Sequence, residues 1–245
     1  MIRLGFLLLL TFNVLFYAEA QQQRITLKAG ESLKDFKARH VYKYPEFASS
    51  KVTYTDGAVT TERLNYNRLS GKMEFIDKKG DTLAIINNSE IRKVVLAKDT
   101  FYFDKEYVEL LNDAAGLKLG MTMMLKLVDK QKIGGYGAAS STSSIDTYSR
   151  IPNQPNFILN PKADHVFVLE PTFYFGTRDY SFGRASEKRL LQLIPREHQA
   201  KIKSYLKQNK VDFAEREDIE KILHLVKTLT TDQAHPEVNG KKTAN

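Results

Sequence analysis

Residues 51–86 read KVTYTDGAVTTERLNYNRLSGKMEFIDKKGDTLAII, and this stretch decides the fold. Val52 and Tyr54 alternate with polar residues until Asp56-Gly57, a pair that supplies the positive φ a tight two-residue hairpin needs. Val59 to Tyr66 resumes as a strand. Asn67 to Gly71 reads as a turn, and Met73, Phe75 and Ile76 as the next strand. Asp77-Lys78-Lys79-Gly80 is another turn, followed by a strand from Leu83 to Ile86. Short period-two runs at this spacing, separated by polar turns, predict an antiparallel β meander folded as a sandwich, a roll or a half-open barrel.

The pattern continues towards the C-terminus through Ile91 to Leu96 and Phe101-Tyr102-Phe103. Residues 106–115 carry Tyr107, Leu110 and Leu111 at helical spacing before Gly116, and predict a short helix. Leu117, Leu119, Met121 and Met123 alternate as in a strand, and Met124, Leu125 and Leu127 then break the parity, as a bulge would. Gly134 to Asp146 is rich in Gly, Ala, Ser and Thr and reads as a long loop. Val166 to Phe175 is strongly β-like, and Pro171 within it demotes the strand to an edge or splits it.

At Ser186 the apolar period changes from two to 3.6. Leu190, Leu191, Leu193 and Ile194 form one helical stripe; Pro195 suits the first turn of a second helix carrying Ile202, Tyr205 and Leu206 and ending near Asn209. A third helix shows Ile219, Ile222, Leu223 and Val226, with Asp212 and Glu215 matching an Asx form of the capping box. The fold class is therefore α+β, an antiparallel meander with a C-terminal helical cap.

The N-terminal end is of another kind. Arg3 precedes the apolar run Leu4 to Tyr17, and Ala18-Glu19-Ala20 has the small-x-small form of a signal-peptidase site. A bilayer-spanning anchor needs about 20 apolar residues, and this run is shorter and interrupted by Thr11 and Asn13. The expected organisation is a signal peptide over 1–20, a lead-in segment over 21–50 with one short strand around Ile25 to Leu27, a β domain over 51–182, a helical region packed on it over 183–229, and a polar tail over 230–245. Export to the periplasm or cell surface follows from the leader.

The chain has no cysteine, which excludes thiol catalysis, thiolate metal sites and disulfides, so stability must come from packing. No two of the five histidines stand at i, i+4 on a helix and H-E-x-x-H is missing, so no metal or cofactor site is legible. His198 and His224, on predicted helices, are expected to be partly exposed. Asp164-His165, just before a strand, lacks the positioned nucleophile a catalytic dyad needs. Gly134-Gly135-Tyr136-Gly137 lacks the Lys-Ser/Thr of a phosphate loop. Asn87-Asn88-Ser89 matches the glycosylation sequon, which has no consequence in a bacterium. Aromatic residues crowd the β region, and core packing accounts for them, with an aromatic-lined groove as the functional alternative.

Charge is more informative. The net charge is +8, and eight Lys or Arg fall within Arg184–Lys210: Arg184, Lys188, Arg189, Arg196, Lys201, Lys203, Lys207 and Lys210, against Glu187 and Glu197. A solvated helix face explains such a set, and so does contact with an anionic surface or polymer.

Leu64-Asn65-Tyr66-Asn67 leading to Phe75-Ile76, followed by Gly80-Asp81-Thr82-Leu83-Ala84, resembles a group of uncharacterised exported β-rich proteins common among Bacteroidota. The stretch Leu190 to Val226, with its Lys-rich helix and Asn-Lys-Val-Asp-Phe, looks like the tail those proteins carry. The resemblance implies a Gram-negative envelope setting and a β meander with a helical tail, and carries no catalytic residues. The resulting expectation is an exported, non-enzymatic binding or structural module of the bacterial envelope. A periplasmic carrier of a lipid or other apolar ligand stands second, and an envelope hydrolase third. Its partner would be an envelope protein, lipid or anionic polysaccharide, through peripheral contact and not nucleic acid.

Overall fold

The computed structural model describes residues 24–114, 117–133, 139–141 and 164–231. The leader, most of the Gly-rich loop and the polar tail lie outside these residues. The described part is a twelve-stranded antiparallel sheet with helices on one side, an α+β architecture. The strands are β1 (Arg24–Leu27), β2 (Ala48–Tyr54), β3 (Val59–Asn67), β4 (Lys72–Ile76), β5 (Thr82–Ala84), β6 (Ile91–Leu96), β7 (Asp99–Asp104), β8 (Glu106–Ala114), β9 (Leu117–Ile133), β10 (Ala139–Ser141), β11 (Asp164–Gly176) and β12 (Phe182–Arg184). Their order is β1-β11-β9-β8-β7-β6-β2-β3-β4-β5, with β10 on β9 and β12 on β11. A short helix α1 (Leu33–Phe36) runs on into a π-helical turn, Lys37–Val41, within the lead-in.

Glycine sets the turns. In the β2–β3 hairpin the Tyr54 N–H donates to the Ala58 carbonyl and the Gly57 N–H to the Tyr54 carbonyl, with Gly57 at φ 90°. The loop is thus three residues, Thr55-Asp56-Gly57, and not the two-residue form expected. Its left-handed third position is the one glycine fills without a Cβ penalty. Asp77 to Asp81 repeats the pattern with Gly80 at φ 90°.

Two local readings change, and the reading of Pro171 resolves to its edge form. Residues 106–114 are strand β8, not a helix, and pair with β7 on one side and β9 on the other. A register shift between Leu110 and Asn112 sets Leu111 out of the ladder. Leu110 and Leu111 join clusters on different faces, as strand alternation requires, and a strand apolar on both faces can match helical i, i+3, i+4 spacing. In β9 the apolar residues Leu117, Leu119, Met121, Leu125 and Leu127 do not break parity. The extra residue is Val128, half exposed between the pairs Phe167–Leu127 and Val166–Asp129. Pro171 leaves β11 continuous, because it falls between the β1 and β12 ladders where β11 is paired on the β9 side alone.

One backbone hydrogen bond, from the Leu125 N–H to the Arg68 carbonyl at 2.9 Å, ties the β3–β4 turn back to β9. The sheet therefore curls towards itself without closing. Inside the curl Tyr66, Phe101 and Tyr107 pack with Val52, Leu64, Met73 and Leu96, all buried.

Three further helices cover β9 and β11: α2 (Glu187–Leu193), α3 (Arg196–Asn209) and α4 (Arg216–Thr231). Ser186 caps α2 by accepting from the Arg189 N–H. At the start of α4 the capping differs from expectation. The Asp212 carboxylate accepts from the Ala214 N–H, and Asp218, not Glu215, accepts from the Asp212 N–H at 2.9 Å. Helix α4 begins one turn later because Asp212 closes its own Asx turn first. The α4 stripe Ile219, Ile222, Leu223 and Val226 is buried with Leu117, Leu119, Phe173 and Phe175 of the sheet. Leu223→Ala should cost about 2 to 3 kcal/mol, the lower part of the range for buried leucine, because Leu223 keeps 7 % of its surface. Unchanged chemical denaturation of that variant would show the stripe is not core. No helix among the described residues is long and apolar enough to cross a membrane.

Candidate functional site

The sequence-predicted basic residues divide into three groups. Arg189 is consumed structurally: its guanidinium donates to the Phe175 carbonyl at 3.3 Å and the Ser181 carbonyl at 2.9 Å, and lies over Gly183 where a Cβ would meet its Nε at 2.8 Å. Arg184 on β12 and Lys188 on α2 are exposed but stand on other elements. The remainder lie on α3 or at its end. There the buried residues His198, Ile202 and Leu206 recur every four positions and fix which side faces the protein. Arg196, Lys203 and Lys207 then share one exposed stripe, within about 40° of each other at 3.6 residues per turn, and exposed Lys210 follows at its end. Lys201 is exposed on the opposite flank. Lys210 ends the helix in left-handed conformation at φ 48°.

His198 is buried and not partly exposed as expected, since it shares the apolar row with Ile202; His224 is exposed. His165 is buried on β11, and the Asp164 carboxylate beside it accepts the Ala29 N–H at 2.7 Å, fixing the turn after β1. Asn88, the middle residue of the Asn87-Asn88-Ser89 sequon, accepts the hydroxyl of buried Tyr107 at 2.7 Å and so serves the core.

Two polar arrangements were invisible in the sequence. In the first, Lys43 Nζ sits 2.9 Å from Asp99 and 2.6 Å from Glu109, and the Tyr44 hydroxyl donates to Asp99 at 2.5 Å. Burial alone would raise the Asp99 carboxyl, and the Tyr44 and Lys43 hydrogen bonds overcome it and hold the group below the usual carboxylate range. Burial and the Asp99 contact push the Tyr44 phenol up. Half-buried Arg68 lies nearby; its Nε is enclosed without a hydrogen-bond partner among the described residues, and burial draws its pKa down. The effect is to clamp the chain entering β2 onto β7 and β8.

The second is a turn. Thr177 to Ser181 repeats the hydrogen bonding of the Gly57 and Gly80 loops, but Tyr180 occupies the left-handed position at φ 65°. A non-glycine residue there costs about 1 to 2 kcal/mol. The Tyr180 ring stacks on Tyr102 at 3.7 Å and 10°, and Lys118 Nζ lies 4.1 Å from its centre. Lys118 is itself buried and paired to Asp113 at 2.6 Å. The Tyr102 hydroxyl, followed by the Lys118 ammonium, lowers the Tyr180 phenol's pKa. The stack offsets the backbone strain and pins the β11–β12 turn against β7 and β9.

Two surface depressions are open to solvent. One, of about 450 Å³, lies between α3 and α4 beside Tyr205 and His224; the other, of about 500 Å³, lies beside Gly30 and Arg39. Among the described residues no three His, Asp or Glu side chains converge as a metal would require. Comparison with known proteins finds no matching family, no matching curated protein and no matching solved structure, so the placement of these residues carries the functional reading.

Proposed function

We propose that the chain is an exported, non-enzymatic binding or structural module of a bacterial envelope, of the kind its resemblance to Bacteroidota proteins suggests. The observation that carries this reading is the division of charge. Two largely buried ammonium groups are tied to carboxylates, Lys43 to Asp99 and Glu109 and Lys118 to Asp113. Cations on α3 are turned outward and unpaired among the described residues. Such a surface meets an anionic partner by long-range attraction, while the interior holds shape. The filled curl favours this reading over an apolar-ligand carrier, since Tyr66, Phe101 and Tyr107 occupy the space where such a ligand would lie.

Export is tested by expressing the full chain in a Gram-negative host, fractionating the cells and measuring intact mass. The expected product sits in the envelope or periplasmic fraction and begins at Gln21. A cytosolic product retaining Met1 would overturn the reading. Sedimentation of the exported protein with crude envelopes tests the binding role.

A further inference from the structure

We infer that the outer stripe of α3 is a docking surface for the phosphate-bearing headgroups of a membrane. This rests on the envelope reading above and names the partner it leaves open. Arg196, Lys203, Lys207 and Lys210 extend over about 21 Å of helix at 1.5 Å per residue. All four are exposed, and none makes an ion pair or side-chain hydrogen bond among the described residues. Helix α4 is built differently: Arg216 pairs with Glu220 at 2.7 Å, and Lys221 with Glu217 at 3.0 Å and Asp218 at 3.5 Å. Both helices bury an apolar row on the same sheet, yet only α4 neutralises its outer face. Glu197, the acid nearest the stripe in sequence, lies on a flank beside His198 at 3.9 Å.

The form of the stripe selects a lipid surface over a polymer chain. A bound polysaccharide calls for a groove with stacking aromatics, whereas these four residues stand on a convex helix with no aromatic among them. Three are lysines, compact charges on flexible stems that suit mobile phosphates better than fixed bidentate partners. No large exposed apolar side chain lies on α3, so nothing inserts into the acyl region and attraction is electrostatic alone. It therefore acts over roughly 8 Å at physiological ionic strength.

The test is co-sedimentation of the exported, purified protein with vesicles rich in phosphatidylglycerol, beside pure phosphatidylcholine vesicles, at low and high salt. Each basic residue at an anionic surface changes partitioning roughly fivefold. The triple variant Arg196→Gln, Lys203→Gln, Lys207→Gln should therefore lose about 100-fold, with helix content kept because glutamine is a good helix former. A second triple variant, Lys51→Gln, Lys78→Gln, Lys79→Gln, removes the same charge from exposed positions on β2 and the β4–β5 turn and should partition within about twofold of wild type, since distant charges are screened. Equal losses in both variants would show that net charge alone acts, and equal binding to phosphatidylcholine would show that phosphate charge is not recognised; either overturns the proposal. If the protein sediments with crude envelopes but not with phosphatidylglycerol vesicles, this inference fails and the envelope reading stands. Failure with both sinks the two together.

Discussion

Phe182→Ala should destabilise the protein by about 3 to 5 kcal/mol, and adding Gly176→Ala to it should cost almost nothing more. The Phe182 ring is buried on the face of the sheet opposite the helices, beside Tyr102, Val108 and Tyr174. It fits there because two neighbouring strands carry glycine beneath it. A Cβ at Gly176 would meet the ring at 2.7 and 2.8 Å, and one at Gly120 would meet it at 2.9 Å and Val108 Cγ1 at 2.3 Å. Gly120 is a strand interior position and Gly176 the last residue of β11; within a strand glycine weakens it unless something approaches the backbone closely. Gly176→Ala alone forces the ring out of its slot and should cost about 1 to 3 kcal/mol, as overpacking does. Once Phe182 is alanine the three atoms nearest the added methyl, all of the ring, are gone, so the double variant should be more stable than the sum of the singles predicts. Chemical denaturation of the four proteins yields the coupling directly. Additive losses would mean that Gly176 is required for some reason other than the ring.

The same slot shows where reading the chain stops. Gly57 and Gly80 were legible because a glycine after Asp or Lys in a polar tetrad has a local consequence, a left-handed turn. The third turn of that geometry was not, because Tyr180 gives no local signal; it is tolerated through Tyr102 and Lys118, 78 and 62 residues away in sequence. Leu111 misled for a related reason. Leu110 and Leu111 face opposite sides of β8 by strand alternation, and a strand apolar on both faces carries the i, i+3, i+4 spacing of a helix. Helices α2 to α4 were readable nearly residue by residue, since one buried row at period 3.6 places every other side chain. The α3 stripe belongs to this class and could be drawn before the fold was known. Arg189 could not be excluded from it in advance, since its partners are backbone carbonyls at Phe175 and Ser181. The Lys43 clamp joins residues 43, 44, 99 and 109 from separate strands and loops. Each alone looks like an ordinary surface charge.

Replacing Lys43 by methionine should cost about 3 kcal/mol at neutral pH, and the loss should shrink in acid. Lys43 is the single ammonium bridging Asp99 and Glu109, at 2.9 and 2.6 Å. The three side chains keep only 16 %, 17 % and 11 % of their surface. Removing one partner of a buried ion pair costs about 3 to 5 kcal/mol because the other charge is left unpaired, and the residual exposure places this case at the lower end. Methionine retains a stem of similar length while removing the ammonium, which lies 5.5 Å from the centre of the Phe101 ring, so lost volume contributes little. The pH dependence follows from Asp99. In the wild type its carboxyl is held below the ordinary range, so its stabilisation is present above the unfolded value, about 3.9, and is lost as pH falls through the lowered one. In Lys43→Met, burial is opposed by the Tyr44 hydrogen bond and the more distant charge of Lys98, and protonating the carboxyl relieves a charge that has lost its ion pair. Wild type therefore weakens only as pH falls below about 4, where the variant gains by protonating its unpaired carboxyl, and the gap between them should narrow between pH 7 and pH 3 in urea denaturation. A gap that stays constant across this range would mean that the charge of Lys43 plays no part and that only its stem holds the clamp.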